Sequence, residues 1–324
     1  MNHSPRPVGT SGVYVGPLGL GCWPLAGMTR TGITPDAALA TVTAAIDNGI
    51  VHLDTAFCYG EAGESERAIA AALSGRRRDT FVIASKCGIH WEPTRRQCVD
   101  GRPDRIRAEV ETSLKRLETD HLDLLYLHAP DPSVPIEDSA GELARLLAAG
   151  KTRAVGVSNA SLIQLQQFAA ACPLSACQLH YNMLQREIEA EILPWCQGQG
   201  VSMFVYWPLM KGLLAGGMCR DQVFSVTDSR HKYPMFIGEE FQRNLDFVEA
   251  LRPVSLRLNC KLPDLVLAWT AEQSGITCVL FGATSPEQVQ ANVRALACTL
   301  DDESRRTISE AIRARGPVAN RRAV

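Results

Sequence analysis

Short apolar runs rich in β-branched residues recur along this chain, and between them apolar positions fall three and four apart. The clearest run starts at Ile50, after the helix-stop pair Asn48-Gly49, and ends at Asp54. Comparable runs lead from Phe81 into Lys86, from Leu122 into His128, from Thr152 into Ser158-Asn159, and from Val201 into Tyr206. Ser175 to Leu179, which contains Gln178, and Thr277 to Phe281 complete the set. Leu18 to Trp23 is a further strand candidate. Its Gly-x-Gly reads as a strand whose backbone is closely approached rather than as a nucleotide motif. Before it, Val8 to Val13 reads as a hairpin turn.

Helical periodicity fills the gaps. Thr34 as N-cap and Pro35 at the first helical position open a helix to Asn48. Further helices are predicted over Glu64 to Leu73, Pro103 to Leu117, a segment ending at Gly150, Ser161 to Ala170, Ile188 to Gln197, Pro263 through Trp269, and from Pro286. Asp301 to Arg313 adds one more. Cys87 to Arg102, containing Trp91, reads as a loop. Trp207 to Leu262 reads as a long loop with a helix from about Glu239 to Leu251, and a loop of that length in a compact domain is usually functional, often a lid.

Repeated strand–helix units fit either a doubly wound sheet or an eightfold barrel. Eight strands result if Gly19 to Cys22 is the first, and Asp54, Lys86, His128, Ser158, Gln178 and Tyr206 then all fall at C-terminal strand ends. That is the active face of a (β/α)8 barrel. No G-x-G-x-x-G joins the first strand to its helix, which counts against the doubly wound alternative. The expectation is one α/β domain over residues 1–324. It is a (β/α)8 TIM barrel with an N-terminal hairpin, a long loop after strand 7 and an extra C-terminal helix.

Charge and composition exclude several classes. Lys and Arg total 33 against 35 Asp and Glu, a formal net charge of −2, which offers nothing to nucleic acid or an anionic membrane surface. No apolar run reaches the roughly 18 residues of a membrane helix, and the first residues lack the apolar segment of a signal peptide. A cytoplasmic protein is expected. The 11 cysteines are scattered with no C-x-x-C pair, so reduced thiols are expected rather than a disulfide framework, and no metal-ligand spacing is present.

Asp54, Tyr59 on the following loop, Lys86 and His128 bring four ionisable groups to strand ends. A tyrosine serves as an acid only if its pKa, about 10 in water, is lowered, and a neighbouring ammonium held by a carboxylate would do that. The set suits proton transfer to a carbonyl oxygen, with the hydride coming from a cofactor.

These residues resemble the aldo-keto reductases over almost the whole chain. Gly49 to Gly60 with its Asp-x4-Tyr spacing, Asp123 to His128, Gly150 to Asn159 (GKTRAVGVSN) and Gly282 to Asn292 (GATSPEQVQAN) are similar to the family's signatures. The nearer subgroup has a long loop after the seventh strand and includes potassium-channel β subunits. The resemblance implies a catalytic tetrad of Asp54, Tyr59, Lys86 and His128, and NADPH, with NADH possible, across the barrel mouth. Asp54, Ser158, Asn159, Gln178, Tyr206, Pro208, Leu209, Lys211, Gly212, Gly282, Thr284, Gln288 and Asn292 are the implied cofactor contacts. Gly282, Thr284 and Gln288 stand where some relatives carry a cation for the 2′-phosphate, which leaves Lys211 and Arg220 as candidates for that charge.

Trp23, Trp91 and Trp207, with Tyr181 and Met210, are expected to wall a pocket for an apolar small-molecule carbonyl substrate. Cys58 and Cys87 adjoin the tetrad and are candidates for oxidation. Two other readings stay open at this point: an NADPH-binding regulatory or redox-sensing subunit, and a Schiff-base lyase using Lys86.

Overall fold

The computed structural model describes residues 4–28, 32–225 and 228–319. Residues 1–3, part of the stretch read as lacking a leader, and residues 226–227 of the long loop lie outside them. Eight parallel strands close into a barrel. They are β1 (Leu18–Gly21), β2 (His52–Asp54), β3 (Val82–Cys87), β4 (Leu124–Leu127), β5 (Val155–Ser158), β6 (Ala176–His180), β7 (Ser202–Tyr206) and β8 (Ile276–Gly282). Each pairs with its sequence neighbours, and β8 closes on β1 through Val279–Leu18 to Gly282–Gly21.

Around the strands run α1 (Pro35–Asp47), α2 (Glu64–Leu73), α3 (Pro103–Arg116), α4 (Ile136–Ala148), α5 (Leu162–Ala171) and α6 (Ile192–Gln199). α7 (Gly238–Arg257) lies in the segment after β7, and α8 (Leu262–Glu272), α9 (Pro286–Val293) and α10 (Asp302–Arg315) follow. Side chains cap several of these helices. Thr34 accepts from the Ala37 amide at 3.2 Å, and Ser161 and Gln164 form a reciprocal capping box. No helix among the described residues is long and apolar enough to cross a membrane.

The N-terminal hairpin pairs Arg6–Pro7 with Tyr14–Val15 and closes the barrel floor. Val8, Val13 and Val15 are buried against Val82, Leu124, Ala154 and Ala176, at or beside the first residues of four strands. Ser202 Oγ accepts from the Gly9 amide and donates to the Pro7 carbonyl, both at 2.9 Å. Inside the barrel, Gly19 is required by close approach, since a Cβ there would stand 2.5 Å from His52 Cδ2.

Four expectations are corrected. Residues 87–102 are not a plain loop: Ile89–Trp91 and Gln97–Val99 pair antiparallel, with the Trp91 indole and Gln97 amide both donating to the Cys58 carbonyl, at 2.9 and 3.3 Å. The helix expected from Ile188 starts at Ile192. Glu189 is taken by Arg186 and the Tyr181 hydroxyl, which holds Glu187–Glu189 as a 3₁₀ turn. α7 runs past Leu251 to Arg257 through Pro253, because its buried stripe continues in Val254 and Ser255. β1 stops at Gly21, and Trp23–Ala26 forms a 3₁₀ turn that begins with Pro24.

Candidate functional site

The chain beyond β2 does not leave the barrel mouth at once. Thr55 and Phe57 amides donate to the Ala84 and Lys86 carbonyls, at 2.8 and 3.0 Å, so the loop runs along β3 and delivers Tyr59 over its end. Lys86 Nζ donates to Asp54 Oδ1 at 2.5 Å, to the Thr55 carbonyl at 2.7 Å and to the Tyr59 hydroxyl at 3.3 Å. Both members of the ion pair are almost wholly buried, with side chains 1% and 3% exposed. His128 follows β4 immediately. Its ring lies 5.7 Å from that of Tyr59, and its Nδ1 lies 3.5 Å from Cys58 Sγ.

The electrostatics differ from the expectation in one respect. Burial, and then the Asp54 carboxylate, push the Tyr59 phenol well above its ordinary value. The hydrogen bond from the nearby ammonium does not outweigh them. Tyr59 therefore carries its proton across the neutral range. Burial, and then Lys86, hold His128 well below its ordinary value, so the imidazole is neutral. Neither cysteine beside the tetrad is a reactive thiolate. Burial pushes Cys58 up to about 12 and Cys87 well above its ordinary value.

Asp54, Tyr59 and His128 open into a cavity of about 650 Å³. Ser158, Asn159, Gln178 and Tyr206 line it from the ends of β5, β6 and β7. Pro208, Leu209, Lys211 and Gly212 line it from the loop after β7, and Gly282, Thr284, Gln288 and Asn292 from β8 and α9. These polar groups are ordered among themselves. Gln178 Nε2 donates to Asp54 Oδ2 at 2.8 Å, and Asn159 Nδ2 donates to the His128 carbonyl at 3.0 Å. The Tyr206 hydroxyl donates to Asn159 Oδ1 at 2.7 Å. Gln288 Oε1 accepts from the Thr284 amide at 2.9 Å.

Lys211 lines the cavity as a cation between two aromatic faces, 3.8 Å from the Trp207 centroid and 4.5 Å from that of Tyr233. Burial lowers its pKa to about 8. Trp207, Met210 and Lys211 all adopt positive φ, so this turn holds a strained backbone at the cavity wall. Arg220 is not brought to the site. It pairs with Asp246 and Gln242 on α7.

Trp23 and Trp207 line the cavity, and Trp23 meets the Tyr59 ring edge-on at 5.1 Å. Trp91 does not line it; its indole donates to the Cys58 carbonyl. Tyr181 stacks on Trp269, and Met210 is buried in the core, so neither is a wall. Lys86 lies behind Asp54 rather than on the cavity surface, which removes the support for a Schiff-base lysine. Sequence reading missed Pro24, Ile89, Gln97, Val99, Tyr233 and Phe281. The period-2 pairs Ile89/Trp91 and Gln97/Val99 were the available signal for the hairpin. Tyr233 carried none.

The aldo/keto reductase family model matches residues 17–313. The aldo-keto reductase YhdN of Bacillus subtilis is 35% identical over 304 residues, 93% of this chain and 91% of its own. An NADH-specific methylglyoxal reductase of Escherichia coli is 34% identical over 310 residues, 91% of this chain and 94% of its own. Among solved structures, a glycerol dehydrogenase from Gluconobacter oxydans superposes with a TM-score of 0.90 at 32% identity, covering 98% of this chain and 97% of its own. The chain belongs to the aldo-keto reductase family and is an NAD(P)H-dependent oxidoreductase that reduces carbonyl groups.

Proposed function

We propose that residues 1–324 act as one barrel domain that reduces a small uncharged aldehyde or ketone, with Tyr59 as general acid. The observation that carries this reading is the convergence of a protonated Tyr59, a neutral His128 and the buried Asp54–Lys86 pair on the cavity that Ser158, Asn159 and Gln178 also face. The donor set fits a nicotinamide dinucleotide. Two amides and a hydroxyl at β5 and β6 suit a carboxamide, the Tyr206 ring offers a flat face, and Thr284, Gln288 and Asn292 offer neutral polar groups on the β8–α9 wall.

When bound, the dinucleotide supplies the hydride for the carbonyl carbon. Tyr59 gives its proton to the carbonyl oxygen, which becomes the hydroxyl of the product. Lys86, 3.3 Å from the phenol oxygen, stabilises the phenolate left behind. Asp54 holds Lys86 in place and offsets its charge. His128, being neutral, orients the carbonyl without competing as an acid.

Trp23, Ile89, Val99 and Trp207 form apolar walls, and Gln97 is a neutral polar group among them. This lining favours an uncharged substrate over a carboxylate or a phosphate. The reading further includes acceptance of both dinucleotides, with a weak preference for NADPH. Thr284 and Gln288 can each donate a neutral hydrogen bond to a 2′-phosphate, worth roughly 0.5–1.5 kcal/mol. Among the described lining residues the only cation is Lys211, which is held between Trp207 and Tyr233. The NADH specificity of the Escherichia coli methylglyoxal reductase fits a fold that does not require the phosphate.

The test is steady-state oxidation of NADPH and NADH with a panel of neutral and acidic aldehydes and ketones. Turnover with neutral members is expected. Silence across the panel, with cofactor bound, would overturn the reading.

A further inference from the structure

Two thiols remote from the tetrad stand in contact. Cys298 Sγ lies 3.6 Å from Cys260 Sγ. We propose that Cys260 and Cys298 form a reversible disulfide whose closure narrows the α8–α9 side of the cofactor cavity.

Each cysteine sits at the end of an element that lines that cavity. Cys260 belongs to the tight turn between α7 and α8, where its amide donates to the Ser255 carbonyl at 3.0 Å. Pro263, three positions on, lines the cavity at the start of α8. Cys298 ends the 3₁₀ turn Arg294–Ala297 that continues directly from α9, and α9 carries the lining residues Ala291 and Asn292. A disulfide requires sulfurs about 2.05 Å apart, so the 3.6 Å contact must close by roughly 1.5 Å. Close-packed elements pass such a displacement to their neighbours. Asp264 stands at the same junction: its Oδ1 is buried with no hydrogen-bond partner among the described residues, and its Oδ2 accepts from the Lys261 amide at 3.0 Å and meets Arg294 Nε at 3.8 Å.

A peroxide supplies the oxidising equivalents. The half-buried Cys260, as thiolate, attacks a peroxide oxygen. The O–O bond breaks, the hydroxide released takes the proton that Cys260 had shed and leaves as one water, and a sulfenic acid remains. Cys298 sulfur then attacks that sulfur, the S–S bond forms, the S–O bond breaks, and the proton lost from Cys298 leaves with the hydroxide as a second water. Two thiols lose two electrons and the peroxide gains them. Burial pushes Cys298 up to about 12 and also raises Cys260.

The experiment treats the full chain with hydrogen peroxide, blocks free thiols with a maleimide, and maps unreduced tryptic peptides by mass spectrometry. Peptides 258–261 and 295–305 should appear joined, and should separate with dithiothreitol. They should remain apart in Cys260→Ser. The exposed Cys219 is the internal control that oxidant reached the protein. NADPH affinity, read by intrinsic fluorescence, should fall about fivefold or more on oxidation of the parent. It should recover on reduction and stay constant in the variant. Peptides that never join while Cys219 is oxidised would overturn the proposal, and so would joined peptides with unchanged affinity. The affinity arm rests on the dinucleotide reading above. Failure of the reduced protein to bind NADPH would count against that reading, and the peptide map would still decide the pair.

Discussion

Gln178 donates a 2.8 Å hydrogen bond to Asp54 Oδ2 from the opposite side of the barrel, 124 positions along the chain. The carboxylate that holds Lys86 is thereby fixed on both oxygens. A buried hydrogen bond to a charged group is worth roughly 1.5–3 kcal/mol. Gln178→Leu should therefore lower the unfolding midpoint by several degrees and weaken NADPH binding. Thermal unfolding with a parallel fluorescence titration checks both, and a variant as stable as the parent would show that the bond contributes nothing.

Tyr59→Phe keeps the ring packed against Trp23 and His128 but removes the proton. Carbonyl reduction should fall by roughly 10²–10⁴-fold, as for loss of a general acid, while NADPH affinity stays near that of the parent. Single-turnover kinetics at saturating cofactor measures this. A variant with parental rates would exclude Tyr59 as the acid.

Removing one partner of a buried ion pair strands the other. Lys86→Met should destabilise the fold by roughly 3–5 kcal/mol and abolish turnover, because Asp54 is left buried without its cation. Lys86→Met combined with Asp54→Leu should recover much of the stability but none of the activity. Urea unfolding of the single and double variants separates the two roles.

His52 is fully buried inside the barrel beside Gly19 and Phe204, and burial lowers its pKa from 6.5 to about 4. The unfolded chain takes up a proton below pH 6.5, whereas the folded chain does not until about pH 4. Stability should therefore be full above that window and fall as pH drops through it, by up to about 1.4 kcal/mol per pH unit from this group. Denaturant titrations from pH 7 to pH 4 should show a shallower fall in His52→Leu than in the parent; equal slopes would remove His52 from the account.

Thr284 and Gln288 provide no cation for a 2′-phosphate. Thr284→Arg should tighten NADPH by about tenfold or more while leaving NADH nearly unchanged, and the gain should shrink at high salt. Fluorescence titrations of both cofactors at two ionic strengths test this. Equal effects on both dinucleotides would mean that the phosphate binds elsewhere.

The strand–helix alternation, the cap at Thr34, and the placement of Asp54, Lys86, His128, Ser158 and Tyr206 at strand ends were legible in the sequence. Each depends on local signals: a β-branched run, a hydroxyl before a helix, a residue's offset from the end of a run. Closure of the barrel follows from counting those units, and the family motifs follow from their spacing.

Tertiary structure alone decided the rest, because it depends on residues far apart in sequence. Gln178 reaches Asp54 only when β6 and β2 face each other across the closed barrel. Trp91 is a better pocket wall by type than Gln97, yet in the folded hairpin, where both side chains donate to the Cys58 carbonyl, Gln97 and not Trp91 lines the cavity. Lys211 is a candidate cation by sequence, and the fold encloses it between Trp207 and Tyr233, two aromatics 26 positions apart. The protonation of Tyr59 was the sharpest case. Sequence supplies a lysine to lower its pKa. Burial and the Asp54 charge raise it instead, since desolvation and charge compensation are properties of the folded surroundings rather than of any neighbouring residue in the chain.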